Sequence, residues 1–293
     1  MVWTFVKTTL LIGILTGILF AIAYLIGFSP IMALAFAALM NLVIYWFSDK
    51  IVLRMGGAKL VTEQEAPRVY AALRRLTAAT GAKMPKVALV DSPIPNAFAT
   101  GRSPNNATVA VHTGLLSTAN EEELEGVLAH ELTHVRNWDT LTSTIAATVA
   151  GAISYLAQWG WYLGGAYGYG GSGGRDRQGG NIIGVLLMMI LAPLAAMLVQ
   201  LAVSRTREYA ADEGGAKLSG KPQALASALQ KIEMWTKRRP AQSNPAMASL
   251  YIVNPFRGSL IMELFSTHPS TEKRVARLER LAASMGYGPF YNR

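Results

Sequence analysis

Residues 120–136 read NEEELEGVLAHELTHVR, and this stretch decides the fold that we predict for the chain. Asn120 followed by Glu123 is typical of a helix start, in which each side chain caps the backbone of the other residue. The apolar residues that follow are spaced to form a single stripe, namely Leu124, Val127, Leu128, Leu132 and Val135. The sequence therefore predicts an amphipathic helix over these residues.

This predicted helix contains the pattern HELTH at residues 130–134. His130 and His134 are four residues apart, so both project from one face and can bind one divalent ion. Glu131 is then placed to act as a general base toward water, as in zinc-dependent hydrolases. Two surface histidines beside a charged helix are the alternative. The helix start, and the presence here of two of the four histidines in the chain, favour the metal site.

Charged residues are scarce in the chain and absent from long runs. Of 293 residues 15% are charged and 51% hydrophobic, whereas about 25% are charged in a soluble domain. No Asp, Glu, Lys or Arg occurs in residues 8–48, 141–174 or 178–204. Because a helix needs about 20 apolar residues to cross a bilayer, we predict four transmembrane helices in two hairpins. Their predicted bounds are about 8–27, 30–48, 141–163 and 181–203.

The four spans form two hairpins, 1–48 and 141–203, which alternate along the chain with two polar segments, 49–140 and 204–293. Ten basic residues lie from Lys50 to Arg136 and fourteen from Arg205 onward, but the tip of the second hairpin has two and that of the first has none. Basic residues concentrate in cytoplasmic loops, so both polar segments and both termini are predicted to be cytoplasmic. A cleaved signal peptide at the start is the alternative, and it would place the basic segments outside. The net charge of +9 is explained by this partition and does not indicate nucleic acid.

A catalytic zinc site needs a third protein ligand and an open position. The chain has no cysteine, which excludes a thiolate ligand and a cysteine nucleophile, and Thr140 stands where a third histidine would follow in one known spacing. A carboxylate remains, and the best candidate is Glu208 in SRTREYAAD, residues 204–212. A helical hairpin over 141–203 would bring Glu208 back to the side of the membrane on which His134 lies. Asp212, one turn further, is predicted to hydrogen-bond a ligand histidine.

The polar segments predict a mainly helical α+β domain. Strands are predicted at 86–90 and 107–112, with a third at 96–101, and helices at 66–80, 221–239 and 271–285. Residues 240–267 show no firm periodicity and receive no assignment. A peptide substrate is predicted to pair with an edge strand formed by Asn96, Ala97, Phe98, Ala99 and Thr100; the alternative is that this strand is internal.

Taken together, these motifs resemble the HtpX-type membrane zinc metalloproteases, relatives of the CAAX prenyl endopeptidases. The resemblance covers nearly the whole chain in order and spacing: NAFATG at 96–101, TGLL at 113–116, HELTH with Asn137 and Asp139, SRTREYAAD, and HPS at 268–270. Trp138 departs from the small residue usual in such enzymes, and Ser270 replaces a common proline. Neither position is a predicted ligand.

The resemblance implies a zincin-like (gluzincin-type) fold with one Zn²⁺ per chain, held by His130, His134 and Glu208, and with Glu131 as catalytic base. It also implies that Asn137 and Asp139 support the ligands. The implied role is quality control under stress, in which an enzyme of the cell membrane cleaves misfolded or damaged membrane proteins at a cytoplasmic active site.

An oxyanion stabiliser is also required, and the candidates are Tyr209, His268 and Arg274. Two other functions remain open. An intramembrane protease of the site-2 type also uses this histidine pattern, but the acidic residues 121–123 and 125 are costly inside a bilayer. A non-enzymatic membrane metal-binding or transport protein would need polar groups within the spans, which contain few.

Overall fold

The computed structural model describes residues 2–25, 27–168, 204–238, 245–253 and 269–287. The predicted span 181–203, the glycine-rich residues 169–180 and His268 lie outside this range. The described residues form a mainly helical α+β protein with one small sheet, which confirms the predicted fold class at this level.

Two long helices begin the chain, α1 (Val2–Leu25) and α2 (Pro30–Met55). Gly27 turns the chain between them with a positive φ of 98°, and the Ser29 hydroxyl accepts a hydrogen bond from the Met32 amide at the start of α2. Within the described residues α2 alone is long and apolar enough to cross a membrane, and α1 contributes a shorter apolar stretch, Thr8–Ala21. Helix α2 runs seven residues beyond Ser48, where its charge-free run ends.

A four-stranded sheet follows, built from β1 (Ala58–Leu60), β2 (Lys86–Val90), β3 (Ala97–Gly101) and β4 (Ala107–His112). The strand order is β1-β2-β4-β3. Strands β2 and β4 are parallel, and the other two pairs are antiparallel. Strand β3 therefore lies at one edge of the sheet, paired with β4 alone.

Helices surround the sheet and form the rest of the domain. They are α3 (Pro67–Thr80), α4 (Thr113–Thr118), α5 (Glu121–Arg136), α6 (Asp139–Gly168), α7 (Arg205–Ser219), α8 (Pro222–Arg238) and α9 (Thr271–Ser284), with a 3₁₀ turn at Pro245–Leu250. Helix α5 lies at the centre, and Leu124, Val127 and Leu128 on its apolar stripe are fully buried. Asn120 and Glu123 form the capping box that the sequence predicts.

His112, at the end of β4, is a buried histidine outside the metal centre. It is 4% exposed, its ring lies between those of Phe98 and Tyr251, and its Nδ1 is 3.1 Å from the carbonyl oxygen of Ile94. Burial lowers the pKa of His112 from 6.5 to about 4. Between pH 6.5 and about pH 4 the ring of His112 is therefore mostly neutral in the folded protein, whereas the same ring is mostly protonated in the unfolded chain.

We expect this histidine to make the fold acid-sensitive. Its contribution is complete above pH 6.5 and is lost as the pH falls toward 4, since the unfolded chain then binds the proton first, a loss of about 3 kcal/mol. The measurement is the melting temperature between pH 7 and pH 4. His112→Gln is expected to lose less stability than the wild type over this range, and parallel pH dependences would contradict the prediction.

Candidate metal centre

Close packing of α5 against α7 brings the predicted ligands together. A Cβ on Gly215 would lie 2.7 Å from the backbone nitrogen of His130, and one on Gly214 would lie 2.6 Å from Cγ2 of Thr133. Any side chain at these two positions would force the helices apart. The two glycines therefore allow Glu208, in the first turn of α7, to reach the histidines of α5.

The three predicted ligands converge. Nε2 of His134 is 3.5 Å from Oε1 of Glu208, and Nε2 of His130 is 3.9 Å from Oε2 of the same carboxylate. One potential ligand atom from each of the three residues lies within 4.8 Å of the others. Ligand atoms bound to tetrahedral zinc at about 2.1 Å are roughly 3.4 Å apart, so the observed separations fit a shared ion with small adjustments.

Each of the two histidines also has an aspartate beside its other ring nitrogen, Nδ1. Nδ1 of His134 lies 3.0 Å from Oδ2 of Asp139 in a hydrogen bond. Nδ1 of His130 lies 3.0 Å from Oδ1 of Asp212, close but not aligned as a hydrogen bond. Such carboxylates fix the tautomer and orientation of metal-binding imidazoles, and here they direct both Nε2 atoms toward Glu208.

Trp138 forms the turn that places Asp139. It is the one described residue other than glycine with a positive φ, 63°, and it joins α5 to α6. A residue that carries a Cβ pays about 1–2 kcal/mol for this left-handed conformation, so the turn before Asp139 carries backbone strain.

Arg274 is a buried cation directly beneath the ligands, and 1% of it is exposed. Its Nε donates to Oδ2 of Asp212 at 2.8 Å and its Nη2 donates to Oδ1 at 2.6 Å, while Nη1 donates to the carbonyl of Ile252 at 2.6 Å. Nη1 also lies 3.7 Å from Oε2 of Glu208. Three of its five N–H groups donate to Asp212 and Ile252, and Nη2 also lies 3.5 Å from Nε2 of His130. Arg274 therefore orients Asp212 and lies against two of the ligand residues, and its role toward an oxyanion stays a prediction.

Glu131 lies between the ligands and the sheet edge. Its Oε2 accepts a hydrogen bond of 2.9 Å from the backbone amide of Ala99 on β3, and the residue is 6% exposed. Burial raises the pKa of Glu131, and the nearby histidines only partly oppose the shift. The carboxylate is thus held in place and made more basic than a surface glutamate.

The charges of the cluster suit a divalent cation. Around the two histidines stand four carboxylates (Glu131, Glu208, Asp139 and Asp212) and two guanidinium groups (Arg274 and Arg207), an excess of two negative charges when the histidines are neutral. Burial lowers the pKa of His134, but its bond to Asp139 and the charges of Glu208 and Glu131 outweigh burial and raise the pKa to about 9. The site therefore attracts positive charge, and the donor set of two imidazoles and one carboxylate fits zinc.

A small cavity of about 40 Å³ lies against these residues, enough for an ion and a few waters but not for a peptide. Its far wall is residues 249–252, which lie within the range 240–267 that shows no firm periodicity. Asn96 holds this wall, because its side-chain amide donates to the carbonyl of Leu250 at 3.2 Å and its oxygen accepts from the amide of Ile252 at 3.0 Å. Asn96, predicted as part of the substrate-binding edge strand, thus also supports the wall of the site.

The other predicted site residues lie further from the ligands. Tyr209 packs its ring under the Arg277 guanidinium at 4.1 Å and does not line the cavity, so this geometry does not support an oxyanion role. Asn137 lies exposed at the end of α5, where its backbone amide donates to Thr133. The structure does not bring its side chain to the histidines. Phe98 and Ala99 of β3 do line the cavity.

The fold and the site together define a metal-dependent endopeptidase, with two ligands on one helix and the third on a later helix. Comparison with known proteins agrees: the model of peptidase family M48 matches residues 63–282. This chain belongs to that family, and within it to the HtpX-type proteases, as its motifs predict.

Similar proteins include the Protease HtpX homolog of Pyrococcus furiosus, 54% identical over 287 residues, with 96% of this chain and 97% of that protein covered. The Protease HtpX homolog of Thermococcus sibiricus is 52% identical, with the same shares covered. Among solved structures, the crystal structure of S. mikatae Ste24p has a TM-score of 0.49 and 18% identity, and the comparison covers 91% of this chain and 62% of that one.

Proposed function

We propose that this protein is a membrane-integrated, zinc-dependent endopeptidase that cleaves misfolded or damaged membrane proteins at a cytoplasmic active site. The observation that carries the proposal is the convergence of His130, His134 and Glu208 beside a buried, hydrogen-bonded Glu131. The comparisons show a metallopeptidase; the metal, the roles of the residues and the substrate class are proposed here.

Zinc is the ion that this donor set fits best. Two imidazoles and one carboxylate form a ligand set found at catalytic zinc sites, whereas Mg²⁺ and Ca²⁺ prefer oxygen ligands alone. When bound, such an ion polarises a peptide carbonyl and lowers the pKa of water. His130, His134 and Glu208 would hold one ion per chain, with Asp212 and Asp139 keeping the imidazoles oriented.

Glu131 is proposed as the general base and then the general acid. Its raised pKa lets the carboxylate accept a proton from water and pass it to the leaving amine. The amide of Ala99 holds Oε2, which leaves the other carboxylate oxygen, Oε1, for proton transfer. The base is therefore attached to the strand that we propose binds the substrate.

Strand β3 is proposed to pair with an extended substrate. The amides of Ala99 and Gly101 donate to Glu131 and to Thr144 and not to β4, so the backbone groups of alternate residues on β3 face away from the sheet. A substrate strand would take over these two amides or pair through the carbonyl oxygens beside them. Main-chain pairing with such an edge gives affinity with little sequence selectivity, as cleavage of varied misfolded chains requires.

Membrane integration is supported by α2. Only 17% of the most apolar stretch of this helix is buried. More than half of the surface is exposed in five of its large apolar residues, namely Ile31, Met32, Leu34, Leu39 and Leu42. Such an apolar surface is stable in lipid and unfavourable in water. The basic residues of the two polar segments support a cytoplasmic site, with both termini on the same side.

The intramembrane alternative places the HELTH helix within the bilayer. Helix α5 begins with Glu121, Glu122 and Glu123, of which the first two are exposed. Glu123 binds Lys231 at 2.7 Å and Ser227 at 2.6 Å. Charged groups of this number are costly in a bilayer core, so a site beside the membrane is the better description.

Metal analysis together with digestion of an unfolded protein tests the proposal. Purified wild type is expected to contain about one zinc per chain, the stoichiometry of a catalytic site, and to lose proteolysis on treatment with a chelator and regain it with added zinc. Glu208→Gln is expected to lose both metal and activity. Glu213→Gln, which changes an exposed glutamate of the same helix, is the matched control and is expected to keep both. Full metal content in Glu208→Gln would contradict the proposed ligand set.

A further inference from the structure

A second cavity, of about 490 Å³, lies apart from the metal centre. It is enclosed by the end of α2, by residues 83–86 at the start of β2 and by the connection from β3 to β4. Its volume is within the range of about 300–1,000 Å³ that holds small ligands. Neither the proteolytic mechanism nor the metal uses it.

The cavity is strongly basic. Lys50, Lys83, Lys86 and Arg102 line it, against one carboxylate, Asp49. Among the described residues none of the four cations forms an ion pair. Four like charges around a single carboxylate repel one another, and a bound anion would relieve this repulsion.

Aromatic side chains hold two of these cations in place. The guanidinium of Arg102 lies 4.1 Å from the centre of the Trp46 ring, and the ammonium of Lys50 lies 5.4 Å from that of Phe47. Such contacts orient a cation without neutralising it. Arg102 and Lys50 are therefore positioned by these rings and still carry their positive charge.

The position of the cavity along α2 indicates its ligand. The charge-free run of the chain ends at Ser48, and the two aromatic residues just before it, Trp46 and Phe47, are 47% and 48% exposed. Aromatic residues at the end of an apolar span lie at the level of the lipid headgroups. If α2 spans the membrane as proposed above, the basic cavity opens at that level on the cytoplasmic side.

We propose that this cavity binds the phosphodiester headgroup of an anionic phospholipid from the cytoplasmic leaflet. Lysine and arginine bind phosphate oxygens through charge-assisted hydrogen bonds, and basic pockets beside membrane helices bind anionic headgroups. The acyl chains would extend along the exposed apolar face of α2, a binding contribution that soluble phosphate lacks. The proposal rests on the membrane placement of α2 and not on the catalytic roles at the metal centre.

A bound lipid would also steady the substrate strand. Arg102 directly follows β3, and the next turn is tight, since a Cβ on Gly101 would lie 2.2 Å from the carbonyl oxygen of Asn106. Holding Arg102 at the membrane surface therefore holds the end of β3, at the opposite end of the strand from Asn96.

Lipid retention by the full-length protein tests this inference. The protein is purified in detergent micelles, offered phosphatidylglycerol or phosphatidylcholine, and the bound lipids are counted by native mass spectrometry. Wild type is expected to retain one phosphatidylglycerol in preference to phosphatidylcholine. Lys83→Gln/Lys86→Gln is expected to weaken this binding by about tenfold or more, as expected for two basic residues near an anionic lipid. Lys83→Arg/Lys86→Arg, which keeps the charges, is expected to retain it.

Arg54→Gln/Lys59→Gln is the matched control. Arg54 lies in the last turn of α2 and Lys59 lies on β1; both are exposed, lie outside the cavity and carry the same two charges. This variant is expected to stay within about twofold of wild type, the effect of a general loss of surface charge. Equal weakening in both double variants, or no preference for phosphatidylglycerol in wild type, would overturn the proposal. Displacement of the lipid by an equal concentration of inorganic phosphate would overturn the assignment to a lipid.

Discussion

The Glu131→Gln variant is expected to keep its metal and to lose about 10²–10⁴-fold of its turnover, the usual contribution of a general base. Glutamine is nearly isosteric with glutamate, and its oxygen can still accept the hydrogen bond that Ala99 donates. It cannot accept a proton from water at neutral pH. Since Glu131 is not one of the three converging ligands, loss of the base leaves the metal in place.

The measurement is single-turnover digestion of an unfolded substrate, with metal content determined on the same preparations. Glu122→Gln is the matched control, because it removes one negative charge from the same helix at an exposed position. A wild-type rate in Glu131→Gln would refute its role as base. Loss of metal in this variant would instead mean that Glu131 helps to hold the ion.

The sequence predicts the local parts of this site well. The capping box, the apolar stripe and the two histidines lie within seventeen residues, 120–136, and their spacing alone places them on one helix. Predicting Glu208 required a topological argument, the return of a hairpin to one face of the membrane. The contact itself depends on Gly214 and Gly215, whose lack of side chains lets two helices approach. A small residue in a helix gives no indication of which partner it will meet.

The wall at residues 249–252 was beyond prediction from the sequence. Its first two residues end the short 3₁₀ turn Pro245–Leu250, which is too short to show a periodic pattern, and a side chain distant in sequence also holds it. The two bonds from Asn96 span 154 and 156 residues. An asparagine in a predicted strand gives no sign of such partners, so neither the wall nor the role of Asn96 follows from the sequence.

Arg274 illustrates the same limit. Arginine and aspartate on two amphipathic helices usually form solvated faces, and the sequence suggested Arg274 only as an oxyanion candidate. The structure buries Arg274 against Asp212. Burial by itself raises the pKa of the Asp212 carboxyl, but the charge and hydrogen bonds of Arg274 outweigh burial and keep this pKa well below its usual range. The pair lies behind His130 and joins α7 to α9 across 62 residues.

Replacing Arg274 by glutamine is therefore expected to damage both the fold and the metal centre. It leaves the Asp212 carboxylate buried without its counter-charge, and breaking a buried ion pair from one side costs about 3–5 kcal/mol. The pKa of Asp212 then rises, and His130 loses a charged partner. The affinity for zinc is expected to fall about 10–100-fold, as for other residues that orient metal ligands.

The melting temperature and the zinc dissociation constant of Arg274→Gln provide the measurement. Arg274→Lys keeps the charge but not the two parallel bonds to Asp212, so it is expected to recover only part of both quantities. Arg280→Gln, at an exposed position of the same helix, is the control and is expected to resemble wild type. An oxyanion stabiliser would behave differently, because its loss lowers the catalytic rate while stability and zinc affinity stay unchanged. That pattern in Arg274→Gln would show that the arginine acts on the substrate, whereas loss of zinc affinity together with stability means that it acts through Asp212 on His130.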